Sequence, residues 1–518
     1  MTKKGINALV WGLILLFAGS IFWINFHSAF WYDMDMALNA HEAKMMWEQQ
    51  RLFPDGWVFG NQYQIVDTIN VAALFYGLVH QSTLALALAS SLGMLLILAA
   101  LAWCLSPFVD RKGLTIGLLC LIGGTIFGYS AASYTKGLQV LYTMGAYYAW
   151  YLIVFLLTAG VWLRLKEGMK VHWSAWIILL ALNFGIGMNS LREVMILGLP
   201  LLALAAIIVL FEKKPSVHFI FATLVFVAEM SGYLVMKSIP VPTSANMSAI
   251  SLNLTGASLL SGILNSTKNL LRISGIALAK DGWAYLPLTI CATLVAAAIL
   301  TSICLIFKRK DRSGLARVIL LCALSLLGVY AAGCLFFKTR DIYFFLYWLL
   351  AALSVVYVAG KHPLVKWVVA GIALLNYGYQ FTPDFVEYHR HGREMKAITS
   401  ELVQQGYTTL YGDDCTVFAA ASKDRIAAAP IRLNPVTNSA YPLIVFPYNK
   451  DLSLYGEAHQ RQGLVCISNF SIQSETDGAL PQGFSEFSPL ASLRWGKRLI
   501  WLYRPYKPFI ESVNYQDE

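Results

Sequence analysis

Long apolar segments alternate with short polar ones along most of the chain. A helix that crosses a lipid bilayer needs about 20 predominantly apolar residues, and eleven segments meet that requirement. The sequence therefore predicts a polytopic α-helical membrane protein with about eleven transmembrane helices. These helices are expected near residues 7–25, 82–105, 114–131, 139–163, 173–190, 193–211, 217–237, 284–307, 316–337, 342–360 and 366–381.

The first long polar stretch, at 26–81, follows the first apolar segment. Apolar side chains recur there at the spacing of one helix face, at Met36, Ala40, Ala43 and Trp47. This pattern predicts an amphipathic helix that lies along the membrane surface. Residues with good helix-capping side chains mark its start at Asp35, or at Asn39 with Glu42 three residues later.

Two other segments interrupt the series of predicted spans. Residues 65–80 are apolar, but the segment is short and contains Asp67, so it is expected to be an interfacial or re-entrant helix. The second long polar stretch, at 238–283, is rich in Ser, Asn and Leu and is expected to be partly helical.

The composition changes after Pro383, which divides the chain into a membrane domain over 1–381 and a soluble domain over 385–518. About 130 residues are enough to bury a core of their own. The pattern predicts a small α/β layer, with a helix near Met395 to Gln405 followed by strands. The strands are expected at Thr408–Tyr411, Pro442–Phe446, Leu464–Ser468 and Arg498–Tyr503.

Composition and charge agree with this class and set its orientation. Hydrophobic residues make up 57% of the chain, charged residues 13%, and the mean hydropathy is +0.58. The net charge of +10 arises mostly in short loops between apolar segments, so it indicates topology and membrane lipids rather than nucleic acid. Applied to these loops, the positive-inside rule predicts a cytoplasmic N-terminus and a C-terminal domain on the outer side.

The cysteines suggest one possible disulfide and show no pattern typical of a metal site. Cys415 and Cys466 lie in the polar C-terminal region and could form a disulfide in an oxidising compartment. The other six lie in or beside apolar segments, where they pack as small hydrophobes. No Cys/His spacing typical of a metal site occurs in the sequence.

Asp33 and Asp35, just beyond the first apolar segment, are the candidate catalytic residues. In an extended segment two side chains at this spacing point to the same side, so both carboxylates could face one cavity. There they could act as a general base toward a hydroxyl or hold a divalent metal. The alternative is structural: Asp35 caps the following helix and Asp33 is solvated.

Cations at the outer ends of predicted spans are the second group of candidates, because they go against the positive-inside bias. An anionic lipid donor needs such residues to hold its phosphate. The alternative is that they reach toward lipid headgroups or pair with neighbouring acids. The group consists of Lys136, Arg192, Lys268, Arg272, Lys338 and Arg340.

Four further residues complete the candidate substrate contacts: Tyr32, His41, Glu42 and Glu193. An aromatic ring such as Tyr32 can stack on a sugar, although aromatic belts at membrane surfaces are the commoner use. His41 and Glu42 could relay a proton or ligate a metal, whereas a surface helix carries such residues routinely.

The layout resembles the bacterial GT-C glycosyltransferases, the class that includes protein O-mannosyltransferases and the aminoarabinose transferase of lipid A. The resemblance is carried by one span, an outer loop that opens with Tyr32-Asp33-Met34-Asp35, a bundle of many spans and a C-terminal domain. The stretches Leu402–Gly412 and Ala419–Asp424 are similar to periplasmic domains of bacterial members. The chain lacks the extended acidic-aromatic acceptor motif of oligosaccharyltransferases in its C-terminal domain.

The resemblance implies inverting transfer of a sugar from a polyprenyl-phosphate donor to a glycan, lipid or protein acceptor outside the membrane. Asp33 or Asp35 would act on the acceptor, and basic residues such as Arg192 and Arg340 would bind the donor phosphate. Members differ in metal use, so a divalent metal stays open. Short loops between spans point to a bacterial inner membrane.

Two alternatives belong to other functional classes. A transporter or flippase of lipid-linked glycans would show paired halves and ionisable residues near the middle of the membrane, and the sequence shows neither halves nor a clear acid within a span. A glycan polymerase or ligase would concentrate its functional residues in a large later loop, for which 238–283 is poor in acids and histidines.

Overall fold

The computed structural model describes residues 11–16, 19, 34–59, 63–124, 129–130, 135–136, 145–213, 217–241, 255–276, 286–336, 341–360, 362, 364–412, 415–433, 443–445, 450–468, 489–495 and 498–504. The described chain is mostly helical, with a small sheet near its C-terminus. Residues 11–16 are helical, and the rest of the first predicted span falls almost entirely outside the described residues.

The N-terminal half of the bundle begins with α1, Met34–Gln49, and α2, Thr68–Val79. The helices α3 to α6 follow at Ser82–Leu105, Arg111–Leu119, Gly145–Lys166 and Trp173–Asn189. A short α7, Leu191–Glu193, continues through a π-helical turn, Val194–Gly198, into α8, Leu199–Glu212. Another π-helical turn, Cys120–Gly124, extends α4.

The second half of the bundle comprises α9 to α14. They occupy Val217–Ser238, Gly256–Ser274, Leu286–Arg309, Gly314–Phe336, Leu346–Ala359 and Val365–Gln404. A 3₁₀ turn, Asp341–Phe344, leads into α13. The helix α10 confirms the helical part expected within 238–283.

Seven of the described helices are long and apolar enough to cross a membrane, so the chain is a multi-pass helical membrane protein. They are Ser82–Leu105, Tyr148–Lys166, Leu191–Glu212, Val217–Ser238, Thr289–Arg309, Gly314–Leu335 and Ile342–Ala359. Shorter apolar helices occur at Thr68–Val79, Trp173–Asn189 and Val365–Asn376. The expected interfacial segment is thus helical over 12 residues, which is too short to cross a bilayer upright.

The helix α1 begins at Met34, so neither Asp35 nor Asn39 caps it, and the predicted start was wrong. The helix α1 is not a surface helix with one solvent-exposed face either. Met36 and Ala40 pack against α2 and α3, whereas Met34 and Leu38 pack against the C-terminal region. The second contact was invisible in the sequence because it joins segments that are far apart in the chain.

The C-terminal region contains five strands that form one sheet: β4 Thr409–Tyr411, β5 Ala427–Ala429, β9 Gly463–Ser468, β10 Ala491–Trp495 and β11 Arg498–Tyr503. Their order in the sheet is β10-β11-β9-β4-β5. The strand β4 pairs in parallel with β5 and β9, and β11 runs antiparallel to β9 and β10. Smaller pairs join β2 Tyr129–Ser130 to β3 Thr135–Lys136, β6 Ile431–Leu433 to β7 Leu443–Val445, and β1 Trp57–Val58 to β8 Lys450–Asp451.

Short helical elements connect these strands. The helix α15, Thr416–Ala421, lies between β4 and β5 and makes them a β-α-β unit, while a 3₁₀ turn, Leu452–Tyr455, and α16, Glu457–Arg461, precede β9. Cys415 and Cys466 are both buried free thiols, so the possible disulfide is not formed. Cys415 instead donates to the carbonyl of Gly412 at 2.6 Å.

The helix α14 runs without interruption from Val365 to Gln404. The predicted last span and the predicted helix near Met395 are therefore parts of one 40-residue helix, and the expected boundary near Pro383 falls inside it. Because each residue of an α-helix advances the axis by 1.5 Å, this helix is about 60 Å long.

Contacts with the first long polar stretch fix the position of the C-terminal region. The strand pair β1–β8 is one link, and the His41–Asp451 pair is the second, with Nε2 and Oδ2 2.8 Å apart. The third is Asp424, which accepts a hydrogen bond from the backbone N–H of Ser82 at 2.6 Å, at the start of the first long apolar helix. A carboxylate is favourable there because a helix N-terminus carries partial positive charge.

Candidate functional site

A stripe of polar side chains runs along one face of α1. Asp35, Asn39 and Glu42 are spaced four and three residues apart, which places them above one another on a helix. Asp35 is partly buried in the first turn, and Asn39 and Glu42 are each only 1% exposed. Since a buried carboxyl and a buried amide are costly without partners, this face must meet other polar groups.

Those groups lie on the segment that leads into α2. With its amide nitrogen turned toward Glu42, Gln64 donates to Oε2 at 2.6 Å and to Oε1 at 3.1 Å, and its other end faces the amide of Asn39. Asp67 follows three residues later and caps α2 by accepting from the backbone N–H of Thr68 at 2.6 Å. The stripe and this segment therefore share one buried polar region.

The electrostatics of that region favour protonated acids. Burial raises the pKa of Asp67 to about 8, and backbone hydrogen bonds from Thr68 and Ile69 only partly oppose this. Burial also raises the pKa of Glu42 well above its ordinary value, and the charge of Asp67 adds to the effect. An acid that carries a proton near neutral pH can take part in proton transfer.

Asn189, at the end of α6, anchors the segment that carries Gln64 and Asp67. Its Oδ1 accepts from the backbone N–H groups of Ile65 at 2.7 Å and Val66 at 3.3 Å. Its Nδ2 donates to the carbonyl of Val66 at 3.2 Å, and its backbone carbonyl accepts from the N–H of Tyr63. Asn189 thus satisfies several backbone groups of this irregular segment, and Asn70 completes the set by donating to the carbonyls of Gln64 and Ile65.

Arg192 follows on α7, and its guanidinium carbon lies 4.4 Å from the centre of the Tyr343 ring. Tyr148 and Tyr151 are close enough to influence it electrostatically. Among the residues that the structure describes, Arg192 forms no ion pair with a carboxylate within 4 Å. A guanidinium held by aromatic rings keeps its hydrogen-bond donors available for an anion such as a phosphate.

Glu193, beside Arg192, is 2% exposed. Its Oε1 has no hydrogen-bond partner within the described part of the chain. Because an unsatisfied buried oxygen is expensive, this atom is suited to accept a hydrogen bond from a bound molecule. We refer to Asp35, Asn39, Glu42, Gln64, Asp67, Asn189, Arg192 and Glu193 as the polar cluster.

Four of the predicted site residues belong to the polar cluster: Asp35, Glu42, Arg192 and Glu193. Glu193 is close enough to Asp67 and to Arg192 to interact with both electrostatically, whereas Asp35 is connected to the rest of the cluster through Asn39 on the same face of α1. Tyr343, whose ring contacts Arg192, lies three residues after Arg340 in the sequence. Arg272 and Lys268 lie on α10, which packs on the same 3₁₀ turn, Asp341–Phe344.

Other predicted residues lie elsewhere or outside the description. Tyr32, Asp33, Lys338 and Arg340 lie outside the described residues, and Lys136 lies in β3 without a described side chain. His41 lies on a different face of α1 from Glu42 and pairs with Asp451 of the C-terminal region. Its predicted substrate contact stays a prediction.

Sequence reasoning missed Gln64, Asn189 and Asp67 as members of the site. Asp67 was visible as the acid directly before an apolar segment, but the amides carried no recognisable signal. The sequence also indicated no clear acid within a span, and this was wrong: Glu229 is fully buried inside α9.

No group of three or more His, Cys, Asp or Glu side chains within the described ranges is placed to hold a metal ion. The acids of the polar cluster are distributed over three segments of the chain, with amides between them. The arrangement therefore suits hydrogen bonding and proton transfer by its own side chains.

Comparison of the chain with protein-family models found no match, and comparison with curated proteins found none.

Proposed function

We propose that the chain is a membrane glycosyltransferase that moves a sugar from a polyprenyl-phosphate donor to an acceptor with inversion. The observation that carries the proposal is the combination of a carboxyl-bearing face on α1 with the Arg192 guanidinium, which forms no ion pair among the described residues. A sugar transfer from a lipid phosphate needs both a base and a cation.

The position of the polar cluster also supports a reaction at the membrane boundary. Tyr151 lies near the start of α5, beside the cluster, whereas the opposite end of the same helix carries Lys166 in an ion pair with Glu212. Another ion pair, Arg317–Glu167, lies at that opposite end. The cluster thus occupies the end of the bundle that also meets the C-terminal region, where a lipid phosphate and a water-soluble acceptor can both arrive.

In the proposed reaction the acceptor hydroxyl oxygen attacks the anomeric carbon of the sugar. The bond between that carbon and the phosphate oxygen breaks, and its electron pair stays on the polyprenyl phosphate. Asp35, or Asp33 two residues before it in the sequence, takes the hydroxyl proton, and Arg192 stabilises the negative charge of the leaving phosphate. Attack opposite to the leaving group inverts the anomeric configuration.

The experiment uses the purified chain in lipid nanodiscs with a radiolabelled polyprenyl-phosphate hexose and a panel of lipid and glycan acceptors. We expect D35N or D33N to reduce transfer at least about a hundredfold, the scale of general base catalysis. R192Q should raise the KM for the donor. D55N and R51Q alter an exposed ion pair in the same polar stretch and are the matched controls.

Transfer that survives in D33N, D35N and the double variant contradicts the proposed role of these acids. If none of the donors supports sugar transfer by the wild-type protein, the proposed function itself is contradicted. Repeating the assay with EDTA measures any requirement for a divalent metal.

The second candidate function is transport of a lipid-linked glycan across the membrane, and Glu229 is the observation that favours it. A buried acid within a membrane span is common on ion and substrate pathways. Reconstituted vesicles separate the two functions, since a transporter moves the labelled lipid between leaflets without releasing polyprenyl phosphate.

A further inference from the structure

Glu229 is a fully buried acid in α9, one of the seven helices that can cross a membrane. The proposed reaction does not use it. An ionisable side chain inside a membrane span is costly and is retained where it makes a specific contact.

The contacts of Glu229 join two other helices. Its Oε2 accepts a hydrogen bond from the backbone N–H of Gly198 at 2.9 Å. A Cβ atom at Gly198 would collide with that same oxygen, and a Cβ atom at Gly187 would collide with the backbone carbonyl of Glu229. At Gly187 only glycine leaves room for the backbone of α9, whereas a Cβ atom at Gly198 would displace the carboxyl group of Glu229.

These two glycines flank the stretch Asn189–Glu193, which we call the corner. Gly187 lies two residues before Asn189 on α6, and Gly198 lies five residues after Glu193, at the end of the π-helical turn. A π-helical turn disturbs the regular ladder of backbone hydrogen bonds, and such turns are frequent at functional sites. Glu229 supplies a hydrogen-bond acceptor at this irregular point.

A second close approach keeps α9 in register with α6. A Cβ atom at Gly232, three residues after Glu229, would collide with the backbone carbonyl of Phe184. Because Gly187 and Gly232 let the two backbones meet, α9 cannot slide along α6 without a steric clash. Small residues at such crossings are the usual means of tight helix packing in membranes.

We infer that Glu229 is a positioning residue that fixes the corner and thereby aims Arg192 at the donor phosphate. This inference rests on the proposed function for the role of Arg192. The carboxyl group of Glu229 accepts a hydrogen bond from Gly198, after the corner, and the backbone around Glu229 packs against Gly187, before the corner. Because the residues on both sides of the corner are held in place, α7 is held in place as well. The Arg192 guanidinium therefore stays beside the Tyr343 ring.

The test compares E229A and E229Q with the wild-type protein in nanodiscs. The amide oxygen of E229Q can still accept from Gly198, so E229Q should bind donor within about threefold of wild type, the scale of a retained neutral hydrogen bond. E229A loses the acceptor and should raise the donor KM about tenfold or more, because a misplacement of about 1 Å can cost up to a hundredfold. E229D, which shortens the reach by one methylene, replaces E229A if that variant does not fold.

Two further measurements distinguish positioning from a general loss of structure. Hydrogen exchange in the peptide 187–198 should accelerate in E229A and E229D and stay at the wild-type rate in E229Q. The variant E229A should add little to the donor KM of R192Q, since residues that act through one another are not additive. E212Q, which alters the ion pair at the far end of α8, is the control and should leave the donor KM unchanged.

If the hydrogen-exchange rate of the peptide 187–198 equals the wild-type rate in both E229A and E229D, the positioning role of Glu229 is wrong, whatever reaction the protein catalyses. Full additivity of E229A and R192Q overturns the connection to Arg192. A wild-type protein that transfers no sugar overturns the proposed function and, with it, the donor part of this inference, but the exchange results still decide whether Glu229 fixes the corner.

Discussion

The imidazole of His41 and the carboxylate of Asp451 are hydrogen-bonded although 410 positions separate them in the sequence. His41 lies on the helix that also carries Asp35 and Glu42, and Asp451 lies in β8. The same β8 pairs with β1, so one short strand of the C-terminal region is attached to the first polar stretch by both backbone and side chain.

Replacing Asp451 with Asn should loosen this attachment. Burial acts to raise the pKa of Asp451, but hydrogen bonds from His41 and Ser453 outweigh it and hold the pKa below its ordinary value. A depressed carboxyl pKa contributes stability that is present at neutral pH and is lost as the pH falls through the folded-state pKa. We expect D451N to cost about 1.5–3 kcal/mol of stability at pH 7, the scale of a hydrogen bond to a charged group.

Thermal melting and limited proteolysis of the C-terminal region at pH 7 measure this effect. D55N removes the carboxylate of an exposed ion pair and should change stability by less than about 0.5 kcal/mol, so it is the control. Equal melting temperatures for D451N and D55N would show that the His41–Asp451 pair does not hold the region in place.

Replacing Asp67 with Asn should make the protein more tolerant of alkaline pH. The folded protein keeps the Asp67 proton up to about pH 8, whereas the unfolded chain releases it near its ordinary pKa of 3.8. The folded state therefore loses relative stability as the pH rises between these two values. D67N removes this loss, and its side chain can still cap α2 because Asn and Asp are equally good caps.

Melting curves at pH 6 and pH 9 check this expectation. The difference between the two melting temperatures should be larger in the wild type than in D67N. D67A removes the cap as well as the acid and should be less stable than D67N by about 1 kcal/mol at both pH values. If D67N and the wild type respond identically to pH, Asp67 is ionised in the folded protein at neutral pH.

Replacing Asn189 with Ala should release the segment that carries Gln64 and Asp67. The backbone N–H groups of Ile65 and Val66 would lose their acceptor, which costs about 1–3 kcal/mol for each buried group left unpaired. Hydrogen exchange over 63–67 should accelerate, and the overall melting temperature should fall.

N183A is the matched control for this change. Asn183 is another buried amide on α6, but it donates to Thr158 and to the carbonyl of Leu179. N183A should lower the melting temperature without accelerating exchange over 63–67. Equal exchange over 63–67 in the two variants would contradict the anchoring role of Asn189.

The apolar pattern predicted most helices closely because a membrane-crossing helix is a local property of about 20 residues. The segment expected at 82–105 is the helix Ser82–Leu105, and the one expected at 217–237 is Val217–Ser238. A short continuous run of apolar and aromatic residues likewise located the strand Arg498–Tyr503. The seven spans found among the described helices establish the class but not the expected number of eleven.

The candidate site was less predictable because its members meet only in the folded bundle. Asp35 and Arg192 could be selected from their positions next to spans. Gln64 and Asn189 could not, since an amide in a loop gives no sign of the backbone groups that it will satisfy. Glu229 could be read as an acid inside the predicted span 217–237 and was overlooked, whereas its partner, the backbone N–H of Gly198, leaves no trace in the sequence.

The uninterrupted helix α14 joins the bundle to the C-terminal sheet as a rod rather than a hinge. A change of angle at the sheet must tilt the part of the rod that is embedded among the other helices. A force applied at the sheet is therefore carried to the lipid-facing portion of the protein without a flexible linker.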